Sequence, residues 1–206
     1  MSIPFPFPAP SLGSGAMDPI KRFRTWYAAA RRSSIAQPDA MALATADRRG
    51  RPSVRFVLLK QVDASGFVFY TNASSRKGRE MRGNPRAALA FHWQSLGRQV
   101  RIEGRVERVS EAEADAYWAT RPRESRLAGV ASDQSAPLHG RAELLSRWRE
   151  LGRRYAKAEI PRPPHWTGFR LVPDSIEFWS ERPHRLHERE SFTRSASGWT
   201  RRLLQP

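Results

Sequence analysis

Apolar and polar positions repeat with two different periods along this chain. After Asp18-Pro19, a helix N-cap with proline at the first helical position, Ile20, Phe23, Trp26, Tyr27 and Ala30 recur on one helical face and predict a helix to about Ile35. Small and apolar residues run from Ala40 to Ala46, Asp47-Arg48-Arg49-Gly50 reads as a turn, and Val54 to Gln61 is a second β-rich run, so the pair predicts a hairpin. A turn at Asp63 to Gly66 leads into Phe67 to Thr71, and Ser74 to Glu80 opens a short basic helix that Asn84-Pro85 ends. Two more strands follow, about Ala87 to Trp93 and Arg98 to Val109. In the second, Val100, Ile102, Gly104 and Val106 alternate with Arg101, Glu103, Arg105 and Glu107, one face for the core and one for water.

Ser110 and Glu113 form a capping box that starts a helix reaching about Arg121, where Pro122 stops it, and a second helical stretch spans Glu124 to Ala131. Arg141 to Lys157 predicts a long basic helix with Leu144, Leu145, Trp148, Leu151 and Tyr155 on one face, ended by prolines 161, 163 and 164. Strand chemistry returns at Gly168 to Val172, Ile176 to Trp179, Leu186 to Phe192 and Trp199 to Leu203. Residues 1 to 17, with four prolines and the Ser11 to Gly15 stretch, read as a disordered or loosely docked tail, which leaves 18 to 206 as one domain without a repeat or linker. Antiparallel strands with three or four helices predict an α+β domain built round a small β-barrel.

Composition narrows the chemistry. The 206 residues are 39% hydrophobic and 27% charged, a balance that suits a folded domain and excludes a collagen-like or wholly disordered chain. No run approaches the roughly 18 uncharged apolar residues of a membrane-spanning helix, and Met1 to Pro10 lacks the features of a secretory signal, so the expected location is the cytoplasm. Without cysteine there is no disulfide, no thiolate nucleophile and no Cys-based zinc site, and redox chemistry would need a borrowed cofactor. The net charge of +16 favours anionic partners. Only Lys21, Lys60, Lys77 and Lys157 of the 36 basic residues are lysine, and the arginine fork suits phosphate or carboxylate. Nucleic acid and a small phosphorylated ligand both fit that composition.

Common catalytic motifs for dinucleotides, P-loop phosphates, serine nucleophiles and zinc are absent. His184 and His187, the only close histidines, would point to opposite faces of a strand, so no metal site is expected. The informative residues are polar groups set among apolar strands. Arg55 and Lys60 bracket Phe56-Val57-Leu58-Leu59, and on one strand without a bulge they would face opposite sides, so either one of them meets an anion or carboxylate near the core or both are strand-end charges that reach solvent. Tyr70-Thr71 and the helix start Ser75-Arg76-Lys77 make a candidate phosphate cradle, since two cations in a first helical turn are unfavourable unless an anion offsets them. Tyr117 with Arg121-Pro122-Arg123-Glu124-Ser125 is a second candidate anion site or a charged loop, and Asp133-Gln134-Ser135 adds amide and hydroxyl groups. Ile176 to Trp179 precedes Arg185-Leu186-His187-Glu188-Arg189, where a strand would put 185, 187 and 189 on one face, a ligand-facing stripe in preference to a solvated one because three such groups in a row repel one another without an anion across them.

Taken in order, these runs resemble the pyridoxamine 5′-phosphate oxidase family over about residues 18 to 206. Arg55-Phe56-Val57-Leu58-Leu59-Lys60 is similar to the family's R-x-V-L-L-K strand, Phe69-Tyr70-Thr71-Asn72 to F-Y-T-N and Ser75-Arg76-Lys77 to S-R-K. Arg98-Gln99-Val100, Arg121-Pro122-Arg123 with Ser125, and Gln134-Ser135 follow. Ile176-Glu177-Phe178-Trp179 and Arg185-Leu186-His187-Glu188-Arg189 resemble its closing signature. The resemblance implies a split β-barrel homodimer with flanking helices and FMN at the subunit interface. It implies that Arg55, Phe56, Val57, Leu58, Leu59, Lys60, Tyr70, Thr71, Arg76, Lys77, Gln99, Gln134, Ser135, Trp179 and Arg189 hold FMN. It implies that Lys60, Tyr117, Arg121 and Ser125 grip a substrate phosphate, with Arg185, Leu186 and His187 at the pyridine ring and Arg185 and His187 as the catalytic pair.

The implied reaction oxidises pyridoxamine or pyridoxine 5′-phosphate to pyridoxal 5′-phosphate and reduces O₂ to hydrogen peroxide. Three features depart from the family pattern: Ala128-Gly129-Val130 stands where an aromatic G-A-W is usual, Trp166-Thr167-Gly168-Phe169-Arg170 where W-G-G-[FY]-R is usual, and residues 1 to 17 hold no counterpart of the arginine and tyrosine lid of some members. Pro-Phe-Pro near the start and the segment from Gly198-Trp199 to the end resemble the related flavin oxidases of phenazine biosynthesis, which gives an alternative substrate. A basic nucleic-acid-binding module is the alternative of another class, although Gly66 to Tyr70 lacks the basic-glycine pattern of an RNA-binding strand.

Overall fold

The computed structural model describes residues 18 to 206, so the expectation for the tail lies outside the described residues. Asp18 caps helix α1 (Pro19–Arg32), its side chain accepting from the Ile20 N–H at 2.8 Å. The helix stops three residues before the expected Ile35. Ser33 is extended, and both its backbone N–H and its hydroxyl turn back to the Ala30 carbonyl, which closes the last turn. Phe23 is fully buried from the middle of this helix, edge-on to Phe67 at 4.8 Å and tilted against Phe91 at 5.1 Å.

Strands β1 (Ala40–Ala46) and β2 (Pro52–Leu58) form the expected hairpin. The β-rich run from Val54 to Gln61 is not one strand: the Leu59 N–H donates to Asp39 O and the Lys60 N–H to Val68 O, so the chain changes partners there. Strand β3 (Gln61–Asp63) then pairs with β4 (Gly66–Asn72). After the short helix α2 (Arg76–Gly83) come β5 (Arg86–Trp93) and β6 (Arg98–Arg108). Three helices follow, α3 (Glu111–Thr120), α4 (Arg123–Ala131) and α5 (Arg141–Arg154). Strands β7 (Trp166–Ser180), β8 (Glu188–Ser195) and β9 (Gly198–Leu204) complete the chain.

The antiparallel sheet runs β2-β1-β5-β6-β7-β4-β3, with β8 on β7 and β9 on β8. Its two ends, β2 and β3, are joined through Leu59-Lys60, which curls the sheet into the half-barrel that the α+β reading anticipates. The two runs expected between Gly168 and Trp179 are one 15-residue strand. Pro173 is tolerated inside it because the register shifts between Glu103 and Gly104 on β6. A Cβ at Gly104 would lie 2.0 Å from Val172 O, so only glycine allows the strands this close.

The strand expected from Leu186 begins instead at Glu188. Pro183 to Arg185 form a 3₁₀ turn in which His184 and Arg185 have φ of 57° and 63°, a left-handed backbone that no strand contains. Helix α5 ends at Arg154, short of Lys157, and has no buried residue. Trp148, Leu151 and Tyr155 only lean on a small aromatic cluster around Trp118 and Trp166. No described helix is long and apolar enough to cross a membrane. Because Phe23 is the fully buried aromatic of α1, Phe23→Ala should lower the unfolding free energy by about 3–5 kcal/mol, read from urea denaturation. A loss under about 1 kcal/mol would mean that the helix is not part of the core.

Candidate functional site

A cleft of about 1120 Å³ opens between β2, the end of β4, the start of α2 and the α3–α5 side of the fold. It brings together Arg55, Phe56, Val57, Leu58, Lys60, Tyr70, Thr71, Arg76, Lys77, Tyr117, Arg121, Ser125, Gln134 and Ser135, which the sequence had placed in separate runs. The described residues lining it include five cations and no carboxylate. Such a surface selects anions, and a low-dielectric wall strengthens the selection.

At one end lies the helix start. Ser75 caps α2, and Lys77 is buried with its Nζ donating to Gln134 Oε1 at 2.9 Å, Thr71 Oγ1 at 3.2 Å and Ser75 Oγ at 3.3 Å. Burial, then the neighbouring Arg55 charge, pulls the Lys77 pKa down to about 8, and Glu80 opposes them. Arg55 crosses from β2 to donate to Leu43 O and Thr45 Oγ1. The expectation that Arg55 and Lys60 face opposite sides of one strand does not hold, because the strand ends between them. Each finds a carboxylate, Glu80 for Arg55 and Asp39 for Lys60, both at 3.2 Å, and both cations still line the cleft.

At the other end, Arg121 sits over Trp118 and Trp166 at 5.1 and 4.7 Å. Its Nη1 is buried without a hydrogen-bond partner among the described residues, and burial lowers its pKa. A buried guanidinium nitrogen left without an acceptor is costly, and a bound anion would offset that cost. Tyr70 and Tyr117 stack at 3.9 Å beside it. A Cβ at Gly168 would come 2.7 Å from the Tyr70 ring, so this glycine gives the ring its place. Burial first, then Glu113 and Tyr117, pushes the Tyr70 pKa up to about 12, which keeps its hydroxyl a proton donor.

Leu59, expected at the cofactor, is instead 4% exposed and part of the core, because the partner change at Leu59-Lys60 turns it inward. Gln99, Trp179, Arg185, Leu186, His187 and Arg189 do not line the cleft of the single chain. They gather elsewhere: Gln99 pairs with Trp179, Trp179 pairs with Arg189, and the Trp179 and His187 rings lie 4.5 Å apart. The stripe expected at 185, 187 and 189 fails, since 185 to 187 precede the strand and Arg189 is held by Glu177 at 2.9 Å. His187 Nδ1 accepts from the Arg182 N–H at 3.2 Å, which leaves Nε2 as the protonated nitrogen of the neutral ring.

Sequence reasoning passed over Glu80 and Thr45, which meet behind the cleft, and Ser53, which joins them from its lining. The signals were there: a glutamate four residues after Arg76, and a lone threonine in an alanine-rich strand. It also passed over Trp166 and the α5 residues Leu144, Leu145 and Trp148 on the cleft wall.

Residues 28–155 match the family model described as pyridoxamine 5′-phosphate oxidase, and residues 166–206 match one described as a pyridoxine 5′-phosphate oxidase C-terminal dimerisation region. The chain belongs to the pyridoxamine 5′-phosphate oxidase family. It is 54% identical over 189 residues to a pyridoxine/pyridoxamine 5′-phosphate oxidase of Gluconobacter oxydans, covering 92% of this chain and 94% of the relative. A protein of the same name from Rhodospirillum rubrum is 55% identical over 194 residues, covering 92% and 96%. Among solved structures, PhzG from Burkholderia lata 383 in complex with tetrahydrophenazine-1-carboxylic acid superposes with a TM-score of 0.89 at 34% identity, covering 94% of each chain. An FMN-binding protein from Nostoc punctiforme, at TM-score 0.73 and 16% identity over 93% of this chain and all of that one, shares the fold.

The lowered Lys77 pKa has a testable consequence. Between about 8 and its ordinary 10.5, the unfolded chain holds this proton and the folded one does not, so stability rises with pH across that window and is lost as pH falls through about 8. Urea midpoints of the ligand-free protein should therefore climb from pH 7 to 10 more steeply than those of Lys77→Met. Equal slopes would place Lys77 outside the buried cradle.

Proposed function

We propose that the cleft holds FMN with its phosphate at Lys77, Arg55 and Arg76, beside a phosphorylated pyridine held at Arg121, and that the chain oxidises pyridoxine or pyridoxamine 5′-phosphate to pyridoxal 5′-phosphate. The observation that carries this reading is the pair of cationic ends on one cleft that no described carboxylate lines, a buried lysine at one and at the other a half-buried arginine whose buried Nη1 has no partner among the described residues, a separate seat for each of two phosphates. Thr71, Gln134 and Ser135 complete the flavin end, and Lys60, Tyr117 and Ser125 the substrate end. Each charge-assisted contact contributes on the order of 1.5–3 kcal/mol.

When bound, FMN would supply the redox chemistry, as acceptor of a hydride from the substrate's C4′ while the substrate's hydroxyl or amino group gives up a proton, and as donor of the two electrons that, with two protons, reduce O₂ to hydrogen peroxide. The protein's part is placement. Arg121 and Lys60 fix the substrate phosphate, and the stacked Tyr70 and Tyr117 give its end of the cleft a rigid aromatic wall that excludes water.

Gln99, Trp179, Arg185, Leu186, His187 and Arg189 reach the reacting rings from a second copy of the chain. Three observations support that assignment. These residues cluster away from the cleft of their own chain, and all but Gln99 fall in the stretch that matches a dimerisation region. Beside the cleft, the edge strand β2 also presents Val54 and Phe56 to solvent at 69% and 77% exposure, an apolar stripe that a partner would cover. Arg185 and His187 then orient the pyridine ring and polarise its substituents, with Leu186 packing beside them. The phenazine alternative is supported by the PhzG likeness, but the unpaired Arg121 and the higher identity to the pyridoxine/pyridoxamine 5′-phosphate oxidases favour the phosphorylated substrate.

Mixed dimers test both the reaction and the shared site. Arg121→Ala and Arg185→Ala should each cut peroxide formation from pyridoxine 5′-phosphate by about 100-fold, the cost of two lost charge-assisted contacts. Co-refolding the two variants should restore about a quarter of wild-type turnover. The restored activity comes from heterodimers, in which one site has both arginines intact. No recovery would place both arginines in one subunit's site. Wild-type protein that oxidises a reduced phenazine and leaves pyridoxine 5′-phosphate unchanged would overturn the substrate.

A further inference from the structure

Behind the flavin end of the cleft lies a carboxylate that does not touch it. Glu80 is 7% exposed, and both of its oxygens are engaged. Oε1 accepts from Arg76 Nε at 2.8 Å. Oε2 accepts from Thr45 Oγ1 at 2.5 Å, Ser53 Oγ at 2.6 Å and Arg55 Nη2 at 3.2 Å. These four donors come from β1, β2 and α2, so one side chain ties the hairpin to the helix that carries Lys77. Burial alone would raise the Glu80 pKa. The hydrogen bonds from Ser53, Thr45, Arg76 and Arg55 more than reverse that and hold it at about 2, so the group is ionised at any working pH.

We infer that Glu80 is a positioning residue for the phosphate grip, holding Arg55 and Arg76 in the orientation in which they meet the phosphate. The inference rests on the reading of this end of the cleft as the FMN phosphate seat. The donor count supports it. Glu80 takes only the Nε of Arg76, and both Nη groups of that guanidinium make no hydrogen bond among the described residues, which leaves its fork for a ligand. On Arg55 the arrangement is the reverse: the two Nη groups are spent on Leu43 O, Thr45, Ser53 and Glu80, and Nε makes no hydrogen bond among the described residues. Both guanidiniums line the cleft while their carboxylate stays behind it.

Charge points the same way. Arg55, Arg76 and Lys77 against Glu80 leave two net positive charges at the cradle, the complement of a phosphate of about −1.5 to −2. Without Glu80 three cations would repel one another in a half-desolvated space, the two arginines would swing apart, and Lys77 would lose the one charge that favours its protonation.

The opposite sign is equally clear for a bystander: a carboxylate with no positioning role only repels the incoming phosphate, and its removal tightens binding. The test is the affinity of the full chain, freed of flavin, for FMN and for riboflavin, which lacks the phosphate, read by quenching of flavin fluorescence. Glu80→Gln should weaken FMN by about tenfold or more, the worth of one charge-assisted contact, and leave riboflavin unchanged. Thr45→Val keeps the side-chain shape and lies outside the cleft lining. It should shift the FMN-to-riboflavin ratio in the same direction by a smaller factor, and it carries the test if Glu80→Gln does not fold. Unchanged or tighter FMN binding, or parallel weakening of both flavins, would overturn the role of Glu80. A wild-type chain that binds FMN no more tightly than riboflavin would instead remove the phosphate seat itself.

Discussion

Excess positive charge on a partly buried wall is the constraint around which this molecule is arranged. Five cations line one cleft whose described lining holds no carboxylate, and one of them, Arg121, has a buried nitrogen without a partner among the described residues. Left alone, such a surface opposes folding through desolvation and mutual repulsion. The fold meets that cost in three ways. It stacks Arg121 on two tryptophans, places Glu80 and Asp39 behind Arg55 and Lys60, and surrounds Lys77 with oxygens. Anionic ligands complete the compensation, so stability and binding draw on the same charges.

The curled sheet explains how distant parts of the chain reach that wall. Arg55 and Lys60 stand on either side of the step where β2 hands over to β3, the seam at which the sheet's two ends meet. Thr71 and Lys77 flank the turn from β4 into α2, and Arg121 closes α3. Helix α1 holds the sheet from the other side: Arg22 lies over Phe178 at 4.5 Å and bonds Glu190 at 2.6 Å, which fixes β8 and with it the second cluster around Trp179.

Much of this was legible in the sequence, because it depends on local chemistry. The α1 cap at Asp18, the capping box at Ser110, the β1–β2 hairpin and the alternation of β6 are each set by a few neighbouring residues. The cleft residues were legible as polar interruptions of apolar runs. What could not be read depends on partners far away in sequence. Leu59 is inward only because its N–H is claimed by Asp39, Pro173 sits in a continuous strand only because Gly104 shifts the register, and Arg185 leaves the strand because the backbone at 184 and 185 is left-handed. Glu80 was visible as part of a basic helix, but its meaning appears only when β1 and β2 are folded against it.

The central claim is that the cationic cleft binds a flavin phosphate as a dianion, and phosphorus-31 NMR of the purified, flavin-loaded protein tests it most directly. The account predicts one slowly exchanging phosphomonoester resonance that stays at the dianion position as the pH is taken from about 8 to below 6, the range in which a free phosphate monoester takes up its proton. A resonance that titrates like free FMN, or protein that retains no phosphorus signal, would contradict it.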